Sequence, residues 1–252
     1  MLGFDTIGTG ARRALVLNDW LCDTSTWDPA RPYLDREKIS WAFADLRGYG
    51  RSRGRAGEHT VEEVAADALA VADALGWSTF TIVGHSMSTI VALHLAQQFS
   101  KRIDRAVLLC PPPPASFGYD DETLERLVAV AKGDDALRAR ALAVMLAGPM
   151  PDGWRRFKID RWRATSDPDA VAGYLPLFGR RGLPDRATTI ACPVLAITGE
   201  QDAPPMRSAA TKENLERLCP ALEVIAFAEC GHYPMQEMPP RLVGAVEAFV
   251  AK

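Results

Sequence analysis

The sequence predicts an α/β protein, a mostly parallel sheet flanked by helices. Two observations predict it. Short runs that are apolar on both faces alternate with stretches of helical period, as buried parallel strands and their crossover helices require. A serine also stands between a strand and a helix, in Gly84-His85-Ser86-Met87-Ser88. A sharp strand-to-helix turn with serine at its apex is a nucleophile elbow.

The elements follow in order. Ala14–Leu17, Trp41–Ala44 and Thr81–Val83 read as strands, then Arg105–Cys110, Val194–Ile197 and Val224–Phe227. Val61 to Leu75 has helical spacing, with Thr60 as cap and Glu63 three residues on. Ile90 to Ala96 continues the elbow as a helix. Pro111 to Pro114 cannot extend a strand and mark an exit from the sheet. Beyond them Asp121–Ala131, Asp135–Leu146, Gly153–Ala164 and Asp169–Leu177 read as helices without an intervening strand. Ala209–Leu218 and Arg241–Val250 are the late helices. Residues 115–186 are therefore expected to form a helical insertion over the sheet, with 1–114 and 187–252 as the core.

Composition narrows the function. A net charge of −3 points to neither nucleic acid nor an anionic membrane as partner. No apolar run reaches the roughly 18 residues that span a bilayer, and Met1 to Asp5 lacks signal-peptide character. A cytoplasmic location is expected. Five scattered cysteines show no C-x-x-C or metal-ligand spacing. Reduced thiols are expected, with no metal and no cofactor. Cys110 and Cys192 read as core, and Cys22 lies in a loop near the site.

A serine nucleophile needs a base and a group to orient it. Of the four histidines, His59 lies in a polar loop, His85 adjoins the serine and His94 sits mid-helix. His232 follows the last strand. Asp202 follows the strand Val194–Ile197, with Glu200 as a competitor nearer the strand. Carboxyl ends of parallel strands share one edge, so Ser86, Asp202 and His232 are the expected catalytic residues.

The order Ser…Asp…His resembles the α/β-hydrolase superfamily. Asp45-Leu46-Arg47-Gly48-Tyr49-Gly50-Arg51-Ser52 looks like its D-x-R-G-x-G-x-S loop. Cys230-Gly231-His232, with Glu237-Met238-Pro239, looks like its terminal G-H…E-x-P segment. Together they resemble the small capped esterase, lactonase and haloperoxidase-like branch. The resemblance implies a helical cap inserted after the sixth strand of that fold. It also implies an oxyanion hole made by the backbone N–H groups of Trp20 and Met87.

Two positions depart from the family. Ser88 replaces the usual last glycine of the elbow, and Asn18-Asp19 replaces the usual His-Gly. A carboxylate opposes a developing oxyanion. Asp19 is therefore expected to point away or to be neutralised, with Arg47 a possible partner.

The expected activity is hydrolysis of a small-molecule carboxylic ester or lactone with an apolar or aromatic part. Alternatives on the same scaffold are a C–C bond (β-diketone-type) hydrolase, a cofactor-free oxygenase and a ligand receptor. Leu21, Trp154, Trp162, Phe178 and Tyr233 are the candidate substrate contacts. Phe157 and Tyr174 are further aromatics of the insertion. Arg155, Arg156, Lys158, Arg161 and Arg163 make one insertion helix basic, which reads as a solvated face.

Overall fold

The computed structural model describes residues 1–145 and 150–252. Seven strands form one sheet: β1 (Gly3–Ile7), β2 (Arg12–Leu17), β3 (Ile39–Asp45), β4 (Phe80–His85), β5 (Ile103–Leu109), β6 (Val194–Gly199) and β7 (Leu222–Phe227). Their spatial order is β1-β3-β2-β4-β5-β6-β7. Every pair is parallel except β1 with β3. The six expected strands are present with longer ends. β1 is an addition, because Gly3-Phe4-Asp5-Thr6-Ile7 has no continuous apolar run and lies at the sheet edge.

Helix α1 (Val61–Ala74) starts where the sequence predicts. The Thr60 hydroxyl accepts from the Glu63 N–H at 3.2 Å. The return arm of the cap goes one residue further back, from the His59 N–H to the Glu63 carboxylate at 2.9 Å. Helix α2 (Ser88–Gln98) is buried from Ser88 to Ala96 and packs on β4, β5 and α1. That is why it reads as apolar all round.

The strand order reverses at β2. The connection from β2 leads to β3 on one side, and that from β4 leads through α2 to β5 on the other. A crevice opens outside the carboxyl ends at such a switch point. The loop after β2, Asn18 to Cys22, and the elbow after β4 therefore meet there.

After β5 the chain makes α3 (Asp121–Lys132), α4 (Asp135–Met145), α5 (Asp152–Thr165) and α6 (Pro168–Pro176) before it re-enters at β6. These are the four helices expected, and the expected end at Leu146 lies outside the described residues. The turn between α5 and α6 is stitched to the loops after β2 and β3. The Asp167 N–H donates to the Gly48 carbonyl at 2.7 Å, and the Ser166 hydroxyl to the Leu21 carbonyl at 2.9 Å. Gly48 has φ +83°, and a side chain there would run into Ala170. The chain ends with α7 (Ser208–Leu215), α8 (Pro234–Glu237) and α9 (Pro239–Val250). Among the described residues no helix is long and apolar enough to cross a membrane.

Candidate active site

Ser86 sits at φ +54°, a left-handed conformation that costs a non-glycine residue about 1–3 kcal/mol. The turn is held from both sides. The Ser86 N–H donates to the Leu109 carbonyl at 2.9 Å. The Ser86 carbonyl accepts from the Thr89 N–H at 2.9 Å and the Thr89 hydroxyl at 2.7 Å. Gly84 makes the approach possible, since a Cβ there would lie 2.5 Å from the Ser88 carbonyl oxygen. Among the described residues the Ser86 hydroxyl makes no protein hydrogen bond, so it can donate into the cavity.

His232 lines the same cavity. Its Nδ1 lies 2.6 Å from Asp202 Oδ2. The carboxylate fixes the Nδ1–H tautomer and leaves Nε2 as the proton acceptor. Asp202 is fully buried and its other oxygen accepts from the Ala203 N–H at 2.7 Å. Burial opposes a charge on His232, but the Asp202 charge and hydrogen bond outweigh it, with Asp19 adding. The imidazole pKa therefore lies above its ordinary value. Glu200, the competitor, is occupied by the Ser208 N–H at 3.0 Å.

The histidine loop is braced twice. Glu237 accepts from the Gly231 N–H at 2.7 Å and the Tyr233 N–H at 2.8 Å. The His85 Nε2–H donates to the His232 carbonyl at 2.7 Å. Burial pushes His85 down to about 4, so it is neutral and structural. His85, Cys110 and His232 lie close enough together to share a metal ion. Each already has a protein partner, with the Cys110 thiol 3.6 Å from the Gly231 carbonyl oxygen. Burial pushes Cys22 up to about 11 and Cys110 well above an ordinary thiol, so neither is a nucleophile near neutral pH.

The loop after β2 is organised by Asn18. Its side-chain amide donates to the carbonyls of Asp19 at 2.8 Å and Cys22 at 2.9 Å, and its oxygen accepts from the Leu46 N–H at 2.9 Å. Among the described residues the N–H groups of Trp20 and Met87 have no acceptor. Buried N–H groups are nearly always paired, so two free ones beside a serine are notable. Asp19 does not meet Arg47, the possible partner named from the sequence. Arg47 is spent on Asp67 at 2.6 Å and Glu63 at 3.2 Å. The Asp19 carboxylate accepts instead from the Tyr233 hydroxyl at 2.6 Å and the Cys22 N–H at 3.2 Å.

These loops enclose a cavity of about 410 Å³. Asp19, Trp20, Leu21, Ser86, His232 and Tyr233 line it. Residues 35 to 103 contribute only the elbow to it. Pro112, Phe117, Tyr119, Phe178, Ala203, Pro205 and Met206 complete the lining. The lining is mainly apolar.

A sequence profile of the α/β hydrolase fold matches residues 26–238. The chain belongs to the α/β-hydrolase family. A pimeloyl-[acyl-carrier protein] methyl ester esterase from Nitrosomonas europaea is 24% identical over 97% of this α/β hydrolase and 98% of that protein. Among solved structures, an esterase from Exiguobacterium antarcticum superposes with a TM-score of 0.86 at 18% identity, covering 99% of this chain and 95% of that one. The enol-lactonase from Burkholderia xenovorans gives 0.85 at 22% identity, covering 100% and 96%.

Of the residues singled out from the sequence, Ser86, His232, Trp20, Leu21, Phe178 and Tyr233 line the cavity, and Asp202 stands behind His232. Trp154 and Trp162 do not line the cavity. Trp162 packs behind Trp20, with ring centroids 5.9 Å apart. Trp154 Nε1–H donates to Gln236 at 3.0 Å, and its ring backs Tyr233 at 5.6 Å. Phe157 is exposed, and Tyr174 is buried between Tyr49 and His59. Phe117, Tyr119, Pro205 and Met206 are the wall residues that sequence reasoning missed. Their signal is position alone: two follow the proline exit and two follow Asp202.

Proposed function

We propose that this α/β hydrolase cleaves a carboxylic ester or lactone through an acyl-enzyme on Ser86. The observation that carries the reading is His232, oriented by Asp202 at 2.6 Å, lining the same cavity as a strained elbow serine. Ser86 Oγ attacks the carbonyl carbon while His232 Nε2 takes its proton. The N–H groups of Trp20 and Met87 receive the oxyanion. Collapse expels the alkoxide, which takes the proton back from His232. Water then repeats the sequence and frees the acid.

Residues 115–186 act in this reading as the cap, which follows β5 in this chain's own count. Phe117, Tyr119 and Phe178 supply its face of the cavity. A cavity of about 410 Å³ holds roughly a dozen non-hydrogen atoms, judged against the ~30 Å³ share of one water. A neutral ester with an apolar or aromatic part fits that lining.

The test is turnover of p-nitrophenyl butyrate, with and without oxygen, and mass spectrometry after a fluorophosphonate. Oxygen-independent turnover and an adduct on the Ser86 peptide are expected. Absence of turnover across ester and lactone panels, or an adduct elsewhere, overturns the reading.

A further inference from the structure

We propose that Lys158 of α5 is an electrostatic positioning residue. It balances the Asp19 carboxylate at the edge of the oxyanion site, so the insertion supplies a charge that the reaction requires. The proposal rests on the hydrolase reading above.

Asp19 directly precedes Trp20, whose free N–H faces the reaction in that reading. An uncompensated carboxylate here would oppose a developing negative charge in a poorly solvated site. The carboxylate is nonetheless ionised. Burial works against it, but the charge of Lys158 is the strongest influence in its favour, followed by His85, the Tyr233 hydrogen bond and His232.

Lys158 is 1% exposed, a rare place for an ammonium group. Among the described residues its Nζ has no hydrogen-bond partner. It lies 3.7 Å from the centre of the Tyr233 ring. The hydroxyl of that same ring donates to Asp19 at 2.6 Å. Cation, aromatic ring and carboxylate thus form one buried line, from a helix of the insertion to the loop after β2. Tyr233 also follows His232, so the line ties the base loop to the oxyanion loop. A solvated basic helix does not need this arrangement. Arg155 and Arg163 on the same helix pair with the exposed acids Asp152 and Asp160.

The chemistry separates charge balance from packing. Lys158→Met keeps the apolar stem and removes the charge, which leaves Asp19 alone. Asp19→Asn in that background removes the stranded charge as well. A buried ion pair replaced by neutral groups of similar volume is commonly tolerated, whereas half of one is not.

The experiment measures kcat, KM and Tm for wild type, Lys158→Met, Asp19→Asn and the double variant with a neutral p-nitrophenyl ester. Lys158→Met should lower kcat by roughly 30-fold or more, with KM within about threefold. The double variant should return to within roughly tenfold of wild type. The two single variants should each lower Tm, and the double by less than their sum. An unchanged kcat in Lys158→Met, or a double variant as slow as that single one, overturns the proposal. If Lys158→Met does not fold, the double decides: a folded, active double supports charge balance, and an unfolded one means packing. A wild type without ester turnover would sink the hydrolase reading instead. The Tm cycle then judges the pair by itself, and additive losses reject it.

Discussion

The Ser88 hydroxyl donates to the Asn18 carbonyl at 2.5 Å. One residue opens α2 below the elbow, and the other opens the oxyanion loop. Both are fully buried. The same oxygen accepts from the His85 N–H at 3.3 Å. Asn18 in turn holds the carbonyls of Asp19 and Cys22. The elbow and the loop are thereby joined through the Ser88 side chain and the Asn18 main chain.

Ser88→Ala should therefore disturb the loop rather than the elbow. It leaves the Asn18 carbonyl without its side-chain donor, a loss of about 1–3 kcal/mol for a buried group. A Tm lower by roughly 2–10 °C is expected for a chain of this size. The kcat should fall several-fold while fluorophosphonate still labels Ser86. An unchanged Tm and kcat would show that the bond carries nothing.

The parts of this site that were legible in the sequence are those fixed by local period or chain order. Strands apolar on both faces announce a parallel sheet, and a parallel sheet gathers Ser86, Asp202 and His232 at one edge. Phe117, Tyr119 and Met206 carry no period, because loop residues reach a cavity by where the chain turns. Lys158 is different. Its charge groups it with the arginines of α5 as a solvated residue, yet Trp154, Lys158 and Trp162 recur every four residues and share one face. A lysine between two tryptophans at that spacing is the signal that composition conceals.

Removal of the catalytic groups should separate chemistry from folding. Ser86→Ala and His232→Ala should each lower kcat by roughly 10⁴-fold or more, and Asp202→Asn somewhat less. Ser86→Ala should keep its Tm within a few degrees, since the hydroxyl makes no protein hydrogen bond. Near wild-type turnover in Ser86→Ala would end the nucleophile assignment.

The pH profile tests the electrostatics of His232. The base must be neutral to accept a proton, so kcat/KM falls as pH drops through its pKa. Asp202 and Asp19 raise that pKa, so the acid limb should lie above the ordinary histidine value near 6.5. Asp19→Asn removes one of the raising charges, and the limb should move to lower pH. A limb that stays in place would mean that Asp19 does not reach the base.

Substrate charge should discriminate as strongly as shape. Among the described residues no lysine or arginine lines the cavity, and the one ionised side chain that does, outside any charge on His232, is Asp19. Lys158 stands behind Tyr233 and is absent from the lining. A carboxylate on the substrate would lose its water and gain no cation from the lining, with Lys158 already balanced by Asp19. A monoester of a short dicarboxylic acid should therefore show kcat/KM at least roughly tenfold below that of the neutral alkyl ester of equal length. The basic residues of α5 are absent from the cavity lining. Equal values for the two esters would mean that the acid is bound outside the apolar chamber, and the neutral-substrate assignment would fall with them.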